Sequence, residues 1–185
     1  MTVLPRLKPS VAVLDSVVAT GPYVDSLIPE MTQQLRDDLR RRGYDVLVSS
    51  LGSRSVEQFV VQFRGLSSEQ QHLIGKPDFV AQLTLRVSEE RRNLPAPNIV
   101  NPFGRFRNGP PQPALAQLTS TCVASINVIR VPEGQYFDRG TSGDIQLSGV
   151  VNTQLAGWQA AQKSLTTHTA QKAVAEALSR LQQRQ

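Results

Sequence analysis

Asp78–Ser88, DFVAQLTLRVS, is the stretch whose reading decides the fold. Phe79, Ala81, Leu83, Leu85 and Val87 fall on one face of an extended strand, and Val80, Gln82, Thr84, Arg86 and Ser88 fall on the other. Strict alternation at a period of two marks a half-buried strand. It predicts a central strand of an antiparallel or mixed sheet, with one apolar face covered and one largely polar face turned to solvent or a partner.

Upstream, residues 1–10 contain two prolines and read as an extended arm. Val11–Val18, VAVLDSVV, is apolar and β-branched, which predicts a strand covered on both faces. Asp15 interrupts it, either as a polar residue bonded to nearby backbone or as a ligand carboxylate at a strand end. The next stretch predicts a helix. Asp25 or Ser26 caps it, Pro29 lies in its first turn, and Leu27, Ile28, Met31, Leu35 and Leu39 form one apolar stripe. Arg40, Arg41 and Arg42 fill the last turn, where the helix dipole favours cations, and Gly43 follows as the stop. The arginine triplet reads as a solvated helix end or as an anion- or partner-binding patch. Tyr44–Ser50 is a second strand, so the chain opens β–α–β with a right-handed crossover. Val56, Phe59, Val60 and Phe63 predict a short helix. Ser67 or Ser68 with Gln70 or Gln71 makes a capping box that opens another, ending at Gly75.

Downstream, residues 93–117 hold six prolines and no acidic residue. A loop of this length in a compact domain is functional or disordered. It carries Phe103, Arg105, Phe106 and Arg107, an aromatic–basic set suited first to a subunit or partner contact, and otherwise to nucleobase stacking or a membrane interface. Thr119–Val131 alternates again, Pro132-Glu133-Gly134 is a turn, and Gln135–Leu147 is the returning strand, weakened or bulged by Gly140 and Gly143. A short apolar edge at Leu155, Trp158 and Leu165 precedes a closing amphipathic helix over 166–183.

The 185 residues predict one α/β (α+β) domain over 11–185. It has a mixed sheet of four or five strands with the β–α–β start, the antiparallel hairpin and the closing helix, and the Pro-rich insertion at 93–117. The Leu27–Arg42 helix and the closing helix are expected on one face of the sheet. Net charge is +5, with 12 Lys/Arg against 11 Asp/Glu in residues 1–92 and 8 against 4 in 93–185. A modest basic excess permits an anionic partner and equally describes an ordinary solvated surface. Cys122 is the single cysteine, so no disulfide closes within one chain. No run approaches a membrane span, and MTVLPRLKPS is too polar for a secretory leader.

The catalytic inventory is short. His72 and His168 are far apart and lack partners at metal-ligand spacing, and no nucleophile-elbow, Walker or dinucleotide-binding motif occurs. Cys122 points from mid-strand onto an apolar face, as a buried inert thiol does. No metal or cofactor is expected.

The element order resembles that of the TolB amino-terminal-domain-like superfamily, which includes the curli-secretion channel lipoproteins and the lipoprotein activators of penicillin-binding proteins. The resemblance is carried by VAVLDSVV (11–18), SLIPEMTQQLRDDLRRRG (26–43), YDVLVSS (44–50) and GKPDFVAQLTLRV (75–87). ASINVIRVPEGQYFDRGTSGD (124–144) is similar to the family's hairpin, and TTHTAQKAVAEALSRLQQ (166–183) to its last helix. Gly75, Asp78 and the VPEGQY turn match near-literally. The resemblance implies a non-enzymatic structural or partner-binding subunit of a bacterial envelope assembly (secretion, motor-associated or cell-wall-synthesis). It further implies a periplasmic or outer-membrane-associated protein that forms a homo-oligomer or ring. The lack of a leader and of an amino-terminal lipidated cysteine points instead to a cytoplasmic protein, or to a mature segment with a start methionine added. Two other readings stand beside this one. The first is a small-ligand protein or enzyme using the strand ends near Asp15, and the second a nucleic-acid binder using Arg40–Arg42 and the Phe103–Arg107 loop.

Overall fold

Strand β4 (Phe79–Asn93) is the spine of the molecule. The computed structural model describes residues 8–15, 18–49, 51–95 and 114–181. β1 (Ser10–Val13) and then β2 (Val18–Thr20) pair parallel along one side of β4, and β3 (Asp45–Val48) pairs parallel outside β1. On its other side β4 pairs antiparallel with β5 (Leu115–Arg130), in unbroken register from Phe79↔Arg130 to Asn93↔Ala116. The far side of β5 takes β6 (Gln135–Thr141) and then β7 (Ile145–Asn152), both antiparallel. Seven segments therefore fill five positions of one mixed sheet.

The predicted single strand Val11–Val18 is divided. Leu14 still donates its N–H to the Ala81 carbonyl, but Asp15 turns out to ion-pair with Arg36 of α1 (Val24–Arg41). That carboxylate is structural rather than buried in a ligand site. The returning strand is divided as well, at 142–144. There the buried Ser142 hydroxyl accepts the Ala124 N–H at 2.9 Å and replaces a ladder bond. β4 and β5 also run further than their alternating cores, because Glu89–Asn93 and Leu115–Leu118 extend them as a ribbon that β7 flanks on the β5 side.

One face of the sheet is roofed by α1 and by α4 (Trp158–Arg180), as expected. Phe79, Ala81, Leu83, Leu85 and Val87 pack there with Cys122, Ala124, Ile126 and the buried stripe Leu27, Met31, Leu35 and Leu39. Truncating one such buried leucine costs about 2–5 kcal/mol. The start of α1 differs from expectation. Its N-cap is Tyr23 (φ 59°), whose carbonyl accepts from the Ser26 and Leu27 amides, so Pro29 lies inside the helix and not in its first turn. Gly43 stops the helix at φ 91°, as predicted. α4 is one continuous helix from Trp158, absorbing the separate apolar edge expected before residue 166.

The opposite face is roofed at one end only. There α2 (Val56–Arg64) buries Val56, Phe59, Val60 and Phe63 on Val80, Ile129, Ala12 and Leu14. Ser55 caps α2 by accepting the Gln58 amide, and Ser67 with Gln70 forms the predicted capping box of α3 (Ser68–Leu73). Val80 and Gln82, assigned to a polar face, are thus buried beside α2, and Gln82 donates to the Arg54 carbonyl at 2.8 Å.

Candidate functional site

Beyond α2 no described helix covers this face of the sheet. Register fixes which side chains stand on it: Thr84↔Ser125, Arg86↔Val123, Ser88↔Thr121, Glu90↔Thr119 and Arg92↔Gln117 between β4 and β5. β6 and β7 extend these rows with Thr141 beside Ser125, Gln146 beside Thr121, Ser148 beside Thr119 and Val150 beside Gln117. The side chains of Thr119, Thr121, Val123 and Ser125 are half-buried by their neighbours alone, since no described helix covers them.

Hydroxyls bond across the strands on this surface. Thr119 Oγ1 and Ser148 Oγ are 3.0 Å apart, and Ser125 Oγ and Thr141 Oγ1 are 3.1 Å apart. Such pairs hold side chains in place while leaving lone pairs and protons for a partner. Arg86, Arg92 and Arg139 stand on this face with Glu90, so its charge is positive. The result is a largely polar, mildly cationic surface.

The arginine triplet does not act as a unit. Arg42 bonds Asp38 and donates to the Leu178 and Leu181 carbonyls at the end of α4, at 2.5 and 3.4 Å. Arg40 ion-pairs with Asp37 at 3.0 Å and Arg41 with Asp38 at 3.3 Å. Arg41 also lines an open groove of about 660 Å³ between α1 and α4, with Glu30, Asp37 and Lys172. Phe103, Arg105, Phe106 and Arg107 lie outside the described residues. Their segment joins the free end of the β4–β5 ribbon, where Leu94 still donates to the Leu115 carbonyl at 2.9 Å.

The cysteine and the two histidines have structural surroundings. Cys122 is fully buried in the main core, and burial pushes its thiol up to about 11, so the nucleophilic thiolate is disfavoured. His72 is exposed on α3, and the His168 ring nitrogen lies 2.8 Å from the Ser164 carbonyl on its own helix. Among the described residues no three His, Cys, Asp or Glu side chains converge as a metal site would require. A second cleft, of about 680 Å³, opens where β1 and β4 begin, between Asp45, Asp78, Arg130 and Glu133. Its carboxylate Asp78 is already bonded to the Ser10 amide and hydroxyl, and Arg130 lies over the Phe79 and Phe137 rings at 5.8 and 5.3 Å.

Several solved structures are similar to this chain. A putative neuraminyllactose-binding hemagglutinin homolog from Helicobacter pylori is 12% identical at a TM-score of 0.47, covering 95% of this chain and 90% of its own. Lipoprotein GNA1162 from Neisseria meningitidis is 15% identical at 0.43, covering 89% and 99%. A PelC dodecamer from Paraburkholderia phytofirmans is 15% identical at 0.35, covering 92% and 89%. No family model and no curated protein matches the chain.

The bare face was partly legible beforehand, in the alternation of Thr84, Arg86 and Ser88 against an apolar face. The returning strand expected from the sequence ends at Leu147, so the rest of β7, to Asn152, is a finding of the structure. Its signal is the alternation of Ile145, Leu147 and Val151 with Gln146, Ser148 and Asn152.

Proposed function

We propose that this chain is a non-enzymatic, partner-binding subunit of a bacterial cell-envelope assembly, acting in the periplasm or against the outer membrane. One observation carries the binding role: the sheet is roofed on one face by α1 and α4, and among the described residues no helix covers the ribbon half of the other. A polar sheet face without a helix over it is open to solvent and to a second body. The envelope setting rests on the sequence resemblance to the TolB amino-terminal-domain-like superfamily. Arg86, Arg92 and Arg139 favour a partner with an acidic surface, held by many weak contacts rather than a pocket. No helix among the described residues is long and apolar enough to cross a membrane. The span of the partner, or a lipid anchor outside these residues, would hold the subunit at its membrane.

The test is site-specific photo-crosslinking in the native host, from the natural gene. A photoreactive residue at Thr121 should give a discrete protein adduct in the envelope fraction, and one at Gln33, on the outer side of α1, should not. A protein confined to the cytosol overturns the envelope setting. Equal labelling at both positions overturns the role of the bare face.

A further inference from the structure

Four strands border the sheet, and three are defended against pairing with another chain. β2 has three residues, β3 has four and opens on Asp45, and β6 carries Asp138 and Arg139 beside a bulge at Val128/Ile129. Shortness, charge and bulges are the devices by which proteins blunt a sheet edge. β7, IQLSGVVN, has none of them. It runs eight residues with no charge and no proline, and it pairs with β5 from Cys122↔Ile145 to Leu115↔Asn152 without a register shift. No described strand pairs with its outer side, so alternate backbone N–H and C=O groups point outward in a straight row.

Gly149, in the middle of β7, is the second observation. Glycine weakens a strand interior, and it is found there at bulges, at sharp bends or where another backbone comes close. Gly149 has no bulge, its φ is outside the left-handed region, and a Cβ added to it meets nothing within 4 Å. Nothing among the described residues calls for glycine at this position.

We infer that β7 is a self-association edge, through which two copies pair antiparallel about a twofold axis at Gly149 and join their sheets into one. Such an axis, normal to the sheet, keeps every side chain on its own face, so opposed residues must share a face. With Gly149 opposite itself, Leu147 meets the second copy's Val151 on the helix-covered side. On the bare side Ser148 meets the second copy's Val150, and Gln146 meets its Asn152. The pairing continues an apolar layer, matches two amides and leaves no side chain between the backbones at the axis. It also gives cover to Val150, which is 60% exposed in the single chain. A strand that is uncharged and complementary to its own reverse selects a second copy of this chain over an acidic or basic segment. The inference is independent of the envelope reading, because it concerns only the chain with itself.

The test is sedimentation of the full 20.3 kDa chain across a concentration series, beside the double variant Ser148→Lys, Val150→Lys. Wild type should reach twice the monomer mass. The variant, which sets lysine opposite lysine twice, should raise the dissociation constant about tenfold or more with unchanged far-UV circular dichroism. Both positions are exposed, so folding is preserved. A cysteine experiment reads the register: Ser148→Cys chains mixed with Val150→Cys chains should form a disulfide faster than either population alone, with buried Cys122 silent. A wild-type monomer at every concentration, a dimer untouched by the lysines, or equal cross-linking in mixed and single populations each overturns the inference.

Discussion

The Arg42 guanidinium, at the end of α1, lies 2.5 Å from the Leu178 carbonyl oxygen near the end of α4. It thereby gives the Leu178 carbonyl a second donor beside the Leu181 amide, and it also reaches the Leu181 carbonyl. The same side chain holds Asp38 at 2.5 Å, where both partners are mostly buried. Arg42→Ala should therefore cost about 2 kcal/mol, since it removes the mostly buried partner of Asp38, leaving only the exposed Arg41, and cuts the tie between the two helix ends. Arg40→Ala and Arg41→Ala, at exposed ion pairs, should each stay within about 0.5 kcal/mol. Urea denaturation of the three variants checks this ranking, and equal costs would refute it.

The triplet illustrates what a sequence withholds. Arg40, Arg41 and Arg42 are chemically identical in the chain, and only the approach of α4, more than a hundred residues later, makes one of them an anchor. The alternation of Asp78–Ser88 was legible because its pattern is local and β4 is half-apolar. The ribbon end was not, because Glu89 and Arg91 use charge to face α4. Glu89 accepts from Thr166 and Gln162, and Arg91 lies 5.0 Å over the Trp158 ring. The first turns of α4, residues 158–165, hid for a different reason: none of them is buried, so no apolar period marks them. The buried face of the helix begins at Thr166 and Thr169; Thr169 donates back to the Leu165 carbonyl, and Thr166 shares its one proton between Glu89 and the Gln162 carbonyl. The bare face was only half legible, because which polar residues share it depends on the pairing of β5 with β6 and β7.

Tyr136 on β6 donates a 2.6 Å hydrogen bond to Glu57 on α2. The bond lowers the Glu57 carboxyl below 4.5 and raises the Tyr136 phenol above 10.0. Glu57 thus contributes stability above pH 4.5 that fades as pH falls through its lowered value. Tyr136 contributes below pH 10.0 and loses its share as pH rises through its raised value. Tyr136 is 63% exposed, so solvent screening keeps the total under about 1 kcal/mol. Melting of wild type and Tyr136→Phe across pH should show a small gap near neutrality that closes at both extremes. A gap that is constant with pH would show that the bond does not couple to either titration.

Gly140 lets β6 lie against α4. A Cβ at this position would stand 2.0 Å from the Ala177 carbonyl oxygen and 3.2 Å from Leu181 Cγ. The obstacle is helix backbone, which cannot rotate away. Gly140→Ala should cost about 1–3 kcal/mol by overpacking. Gly43→Ala, which meets nothing within 4 Å but sits at φ 91°, tests strain without crowding and should cost about 1 kcal/mol. Thermal melts that rank Gly43→Ala as the costlier change would contradict this packing account.

The segment between the two long strands gives the last prediction. β4 and β5 are zipped in register to Asn93↔Ala116, and the Leu94–Leu115 backbone bond extends the ladder one step further. The ribbon is therefore already closed by its own ladder before residue 96. Deleting residues 98–112 leaves enough chain to join Pro95 to Ala114 as a short hairpin loop. Loop length enters stability only logarithmically, about 0.6 kcal/mol per doubling, so shortening should leave the thermal midpoint nearly unchanged or slightly raised. The deletion removes Phe103, Arg105, Phe106 and Arg107, a set rich in the residue types that anchor interfaces, where each can contribute about 2 kcal/mol when desolvated. Prolines in the segment restrict the free chain and so lower the entropy lost when it is ordered against a partner. Partner capture from the envelope fraction should consequently weaken by about tenfold or more, the loss of a single such anchor. A pull-down with the deletion variant checks that arm, and a thermal melt checks the other. Unchanged capture would remove the segment from the interface, whereas a collapsed midpoint would make it part of the core.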